Sequence, residues 1–73
     1  MQNISIGQVI KNKKTEQEVK VSRISRNAKY DIDGVPSIVD GHFVDNNVHV
    51  SISFSRISLN QQIEDWRDWE IVR

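Results

Sequence analysis

The chain contains no cysteine. That absence removes disulfides, thiol nucleophiles and cysteine-ligated metal sites. Two histidines are a poor basis for structural zinc, which takes four ligands. With three glycines and one proline there is no glycine-rich loop to cradle phosphates, so nucleotide hydrolysis has no motif to stand on. No apolar run approaches the roughly 20 residues that span a bilayer. The opening Met1-Gln2-Asn3-Ile4-Ser5-Ile6 lacks the basic start and apolar stretch of a secretory signal. A soluble cytoplasmic protein without a cofactor is therefore expected, and the initial Met suggests a complete small reading frame. Net charge is zero, which argues against bulk attraction to nucleic acid or to a membrane.

What is present bounds the answer further. With 73 residues there is room for one domain, 1–73. A chain of this length buries roughly 60% of the surface its unfolded form exposes. The entropy of ordering it is on the order of 100 kcal/mol. Without disulfide or metal, the fold relies on a well-made small core or on self-association, for instance as a homodimer. Charge is divided unevenly. Residues 1–36 hold seven Lys and Arg against four Asp and Glu, and residues 37–73 hold three against six, giving +3 and −3. A dipolar molecule of this kind suits orientation of a charged partner.

Alternation of apolar and polar residues marks strands. The strongest segment is 37–56. There Val48, Val50, Ile52 and Phe54 point one way, and His49, Ser51, Ser53 and Ser55 the other. Two turns could feed this strand. Asp40-Gly41 could form a tight hairpin after a short strand ending at Val39. A type I′ turn at Asn46-Asn47 is preferred, because it pairs Phe43 with Val50, Gly41 with Ile52 and Val39 with Phe54 on one face. Gly41 then lies within a strand, as a glycine at a bulge does. Upstream, Gln8–Lys11 and Glu18–Ser25 read as strands around a polar turn at 13–17. The apolar phase of the second slips between Val21 and Ile24, which is the mark of a bulge. A turn at Asp33-Gly34 lies between Tyr30, Ile32 and Val35. Ser58-Leu59-Asn60-Gln61 has capping-box form. Leu59, Ile63 and Trp66 then predict a helical turn or two over 59–67, and Trp69–Val72 a short closing strand.

Five short strands, a long central hairpin, a late helical turn and a brief final strand resemble the small Src-homology-3-like barrel. The fold class expected is thus mostly β, a five-stranded antiparallel barrel with one short helical turn near the C-terminus. Peptide-binding members of that class use an aromatic-rich groove near acidic loops. The aromatics here are Tyr30, Phe43, Phe54, Trp66 and Trp69, and they do not reproduce that pattern. No site is carried over.

Three groups of residues merit weighing. His42, Ser51 and Asp40 share the polar face of the predicted hairpin, but a flat face lacks the oxyanion hole and dry pocket that nucleophilic catalysis needs. No catalytic residue and no metal at His42 and His49 is expected. Lys11, Lys13, Lys14, Lys20, Arg23 and Arg26 gather in the first two strands and could contact phosphates, although Glu16 and Glu18 interrupt them. Glu64, Asp65, Arg67, Asp68 and Trp69 form the third group. A tryptophan at the end of a short helix, ringed by carboxylates, would anchor a basic protein partner. The reading that follows is a small non-enzymatic protein acting through protein–protein contacts, with nucleic-acid binding by the basic hairpin as the alternative. In style the chain resembles short accessory proteins of bacteriophages and mobile elements, several of which inhibit or modulate host enzymes or defence systems.

Overall fold

A computed structural model describes residues 3–26, 35–54 and 65–72. They form one antiparallel sheet of five strands: β1 (Val9–Asn12), β2 (Glu18–Ser25), β3 (Ile38–Phe43), β4 (His49–Ser53) and β5 (Trp69–Val72), in the order β4-β3-β2-β1-β5. A single 3-10 turn, Trp66–Asp68, leads into β5. No α-helix occurs among the described residues. The helix expected at 59–67, its capping box and the Asp33-Gly34 turn lie largely or wholly outside them. β4 and β5 do not pair with each other, so the sheet is not closed into the expected barrel.

The alternation in the sequence becomes two faces. Ile10 pairs with Val19 and with Ile71, and Val39 pairs with Ile24 and Ile52. These side chains, with Ile4, Val21, Val35, Phe54 and Trp69, make the core. Each fully buried valine or isoleucine contributes roughly 1.5–3 kcal/mol. Phe54 and Trp69 meet edge to face with ring centroids 6.5 Å apart, which ties the end of β4 to the start of β5.

The phase slip in β2 is a real bulge. Val21 faces Gly41, but Arg23 faces Asp40, leaving Ser22 as the extra residue. Its hydroxyl donates to the Asp40 carbonyl at 3.3 Å. Here two backbones come close: a Cβ on Gly41 would strike the Lys20 carbonyl oxygen and approach Val19 Cγ1 to 2.8 Å. The glycine is therefore a requirement of the β2–β3 approach rather than of a turn.

The central hairpin keeps its predicted faces but not its register. Gly41 pairs with Val50 and Val39 with Ile52, a slip of two residues from the expected pairs. The cause is the turn. Phe43 N–H donates to the Val48 carbonyl and Asn47 N–H to the Phe43 carbonyl, both at 2.9 Å. The connection therefore has four residues, Val44 to Asn47, with Asn47 in the left-handed region at φ 56. Asn46 Oδ1 accepts from Val48 N–H at 3.0 Å instead of sitting in a two-residue turn. A slip of two preserves which side chains face inward.

Candidate functional site

Of the six basic residues, Lys11, Lys20 and Arg23 share the outer face of β1 and β2, while Lys13, Lys14 and Arg26 lie beyond the strand ends. Lys11 lies on the outer face between its cross-strand neighbours Glu18 and Glu70. Lys20 is flanked by Val9 and His42, and Arg23 faces Asp40. Lys14 is ion-paired with Asp68 at 3.4 Å. Lys13 is exposed in the first turn, and Arg26 is exposed at the far end of β2. On that face Lys11 and Arg23 stand opposite carboxylates and Lys20 does not.

The acidic group near the C-terminus is also internally paired. Asp65 caps the 3-10 turn, accepting from the Arg67 backbone N–H at 3.0 Å. The Arg67 guanidinium returns to the same carboxylate through Nε at 3.0 Å and Nη2 at 3.2 Å. These hydrogen bonds hold the Asp65 carboxyl below its ordinary value. Asp68 faces Lys14, and Glu64 lies outside the described residues. Trp69, expected to stand partly exposed among these carboxylates, is instead 7% exposed and belongs to the core. The reason is strand phase: Trp69 opens β5 opposite the buried Asn12, on the inner face of the sheet. Trp66 is the half-buried member of the pair.

The polar face of the hairpin is rearranged by the register. His42 lies opposite His49, and Asp40 opposite Ser51, so the imagined serine–histidine pair is not formed. Ser53, expected at the surface, is buried. Among the described residues no three metal-ligating side chains converge.

Among the described residues there is a cleft of about 280 Å³ bordered by the first turn, β3, β4 and the start of β5. Its walls come from Asn12, Phe43, Val50, Ser51, Ile52, Ser53 and Trp69, with Thr15 and Gln17 of the first turn completing the lining. None of these side chains is charged, so the cleft differs from the salt-bridged surface around it. Asn12 is buried, and its Oδ1 accepts from the Lys14 and Thr15 amides at 2.8 and 3.1 Å. Trp69 Nε1 is buried and has no hydrogen-bond partner among the described residues. An indole donor in that position costs about 1–3 kcal/mol relative to one that is satisfied. The cleft thus offers apolar walls with amide and hydroxyl groups among them. Pattern reading missed it because it is assembled from four separate segments.

β4 adds a second feature. The Phe43–Val48 and Phe54–Ser37 hydrogen bonds fix which main-chain groups face β3, namely those of even-numbered residues. The N–H and C=O groups of His49 and Ser51 therefore point away from β3, along the open edge of the sheet. Val48, at the entrance to β4, is 53% exposed. β4 itself, His-Val-Ser-Ile-Ser, carries no lysine, proline, bulge or formal carboxylate, which are the usual guards of an edge strand.

Comparison with protein-family models, with curated proteins and with solved structures finds no match in any of the three. Among the described residues no helix is long and apolar enough to cross a membrane.

Proposed function

We propose that the chain is a small non-enzymatic binding protein acting through protein–protein contacts. The contact surface on this reading is the uncharged cleft and the β4 edge beside it, not the acidic C-terminal segment. The observation that carries it is the uncharged cleft, walled by Phe43, Val50, Ile52 and Trp69 with Asn12 and Ser53 beside them, in an otherwise charged surface. The absence of charge in the lining calls for a neutral group, such as a peptide carbonyl or a carboxamide next to an apolar side chain. A catalytic role has less support, since no described nucleophile sits beside a base in the cleft.

The strand order and the 3-10 turn before the last strand support placing the sheet in the Src-homology-3-like class as an open member. A host enzyme or defence component bound by a phage or mobile-element accessory protein is the partner this reading favours.

The test uses the tagged chain expressed in its native host, with half of each capture treated with nuclease. Wild type should retain a protein in both halves. Trp69→Phe keeps a ring in the core but alters the wall of the cleft, and should weaken retention about tenfold. Thr15→Lys, at an exposed rim position, should do the same by placing charge at a neutral cleft. Undiminished capture by both variants would sink the cleft as the contact surface. Retention lost on nuclease treatment would transfer the function to nucleic acid.

A further inference from the structure

We infer that the β4 edge accepts the β4 edge of a second copy of this chain, giving a two-fold dimer with one continuous ten-stranded sheet. The inference rests on the reading of the β4 side as the contact surface and names the occupant.

The argument begins with what a two-fold axis requires. An isologous contact sets a patch against itself, so any charge near the axis meets its own copy. β5, the other edge, carries Glu70 and is flanked by Asp68 and Arg67. β4 carries neither an acidic nor a lysine or arginine side chain, so it can meet itself without like-charge repulsion. It is also the unguarded edge, and such an edge is a template for another strand.

The register follows from the hydrogen bonds. The free main-chain groups identified above belong to His49 and Ser51. Antiparallel pairing with the axis at Val50 sets His49 of each copy opposite Ser51 of the other. That arrangement uses the N–H and C=O of both residues in both copies. On the inner face, Val50 meets Val50, and the exposed Val48 of one copy meets Ile52 of the other. On the outer face, histidine meets serine. Apolar opposes apolar and polar opposes polar along the whole seam.

The same register carries the hairpin turn of one copy past the end of β4 in the other, with Asn47 opposite Ser53. Ser53 borders the cleft. The turn presents Val44, Asp45 and two carboxamide side chains, of which the valine and the carboxamides match the uncharged lining of the cleft. One contact then borders both features of the site.

The sequence makes the test clean, because a chain without cysteine has no background of disulfide exchange. In sedimentation equilibrium of the purified protein, the mass should rise with concentration from the 8.5 kDa chain to twice that value. The Val50→Cys variant should cross-link to itself on mild oxidation, because residues facing each other across the axis form a close non-hydrogen-bonded pair. Ile6→Cys, at an exposed position remote from β4, serves as the collisional control and should cross-link much more slowly. Ser51→Pro removes only an outward N–H, which an edge strand tolerates, and should weaken the dimer at least about tenfold. Ser51→Lys should do so as well if the proline variant folds poorly. A single-chain mass at every concentration, with Val50→Cys no faster than Ile6→Cys, would overturn the inference. That outcome leaves the host-capture test of the cleft intact, whereas a dimer that captures nothing would confine the contacts of this surface to self-association.

Discussion

The two hairpin turns of this protein share one skeleton and differ in how it is held. In the first, Asn12 N–H donates to Gln17 and Glu16 N–H returns to Asn12, at 2.9 and 2.7 Å. In the second, Phe43 and Val48 with Asn47 repeat the same two bonds. Both connections have four residues, and in both the fourth is left-handed: Glu16 at φ 64 and Asn47 at φ 56. Asparagine tolerates that conformation, but glutamate does so only at a cost of about 1 kcal/mol. The first turn bears this cost because its surroundings determine it. Asn12 is buried and binds two turn amides, Lys13 N–H donates to the Asp68 carbonyl at 2.7 Å, and Lys14 reaches the Asp68 carboxylate. The second turn has one bond of this kind, from Val44 N–H to the Glu18 carbonyl at 3.0 Å, and Asn46 braces it from within. It has neither a buried asparagine nor an ion pair among the described residues. The strained residue sits in the turn that is fastened at more points to the rest of the molecule.

The largest expected effect comes from unfastening the first turn. Asn12→Ala leaves the Lys14 and Thr15 amides without their acceptor and should destabilise the fold by about 2 kcal/mol in urea unfolding. The equivalent change at Asn46, which loses one exposed bond, should cost well under 1 kcal/mol. Equal losses at the two sites would mean that the turns are held alike.

A smaller effect of opposite sign tests the strain itself. Glu16→Asn should raise stability by roughly 0.5–1 kcal/mol, since asparagine enters the left-handed region more easily. The reciprocal Asn47→Glu should lower it by a similar amount. A neutral Glu16→Asn would show that the backbone of the first turn relaxes in solution.

The smallest effect is in pH. The Asp65 carboxyl is held below its ordinary 3.8, first by the Arg67 side chain and then by the Arg67 backbone. A depressed folded value means that the contribution is complete above the unfolded value and is lost as pH falls through the folded one. Acidification below the ordinary carboxylate range should therefore loosen the 3-10 turn. The NMR shifts of the Arg67 and Asp68 amides should move, followed by that of Lys13, whose amide is bonded to Asp68. The Asn47 amide should stay in place. An Asp65 carboxyl carbon that titrates at or above 3.8 would show that the Arg67 pair is not formed.

Much of this fold is legible in the sequence, and the exceptions have physical causes. β2 and β5 follow directly from alternation, and the phase slip near Ser22 announced a bulge before any coordinate did. Gly41 could be read as a strand glycine, but not that its hydrogen faces the Lys20 carbonyl, because that approach depends on the bulge in a different strand. The central register was missed by two residues. Asn46-Asn47 is equally compatible with a two-residue turn, and the choice is made by a side-chain hydrogen bond that composition does not reveal. Trp69 was misplaced for a related reason. Its carboxylate neighbours suggested exposure, whereas strand parity with Asn12 puts it inside. The cleft had no linear signature, since residues 12–17, 43, 50–53 and 69 become neighbours only through the sheet.

The antiparallel ladder between β1 and β5 has a consequence for chain topology. Val9, at the start of the first strand, lies opposite Val72, at the end of the last. Every other neighbouring pair in the sheet is also consecutive in the chain. The five strands therefore form a closed circuit in connectivity, although the sheet is open. Such a circuit has no privileged starting point. A permuted chain, joined near Val9 and Val72 and opened at the solvent-exposed second turn, would keep all four ladders. It would make the β1–β5 contact local and the β3–β4 contact distant. The loop-closure entropy now assigned to β5 would then fall on β4, the strand whose outer edge is already the most open to pairing with another chain.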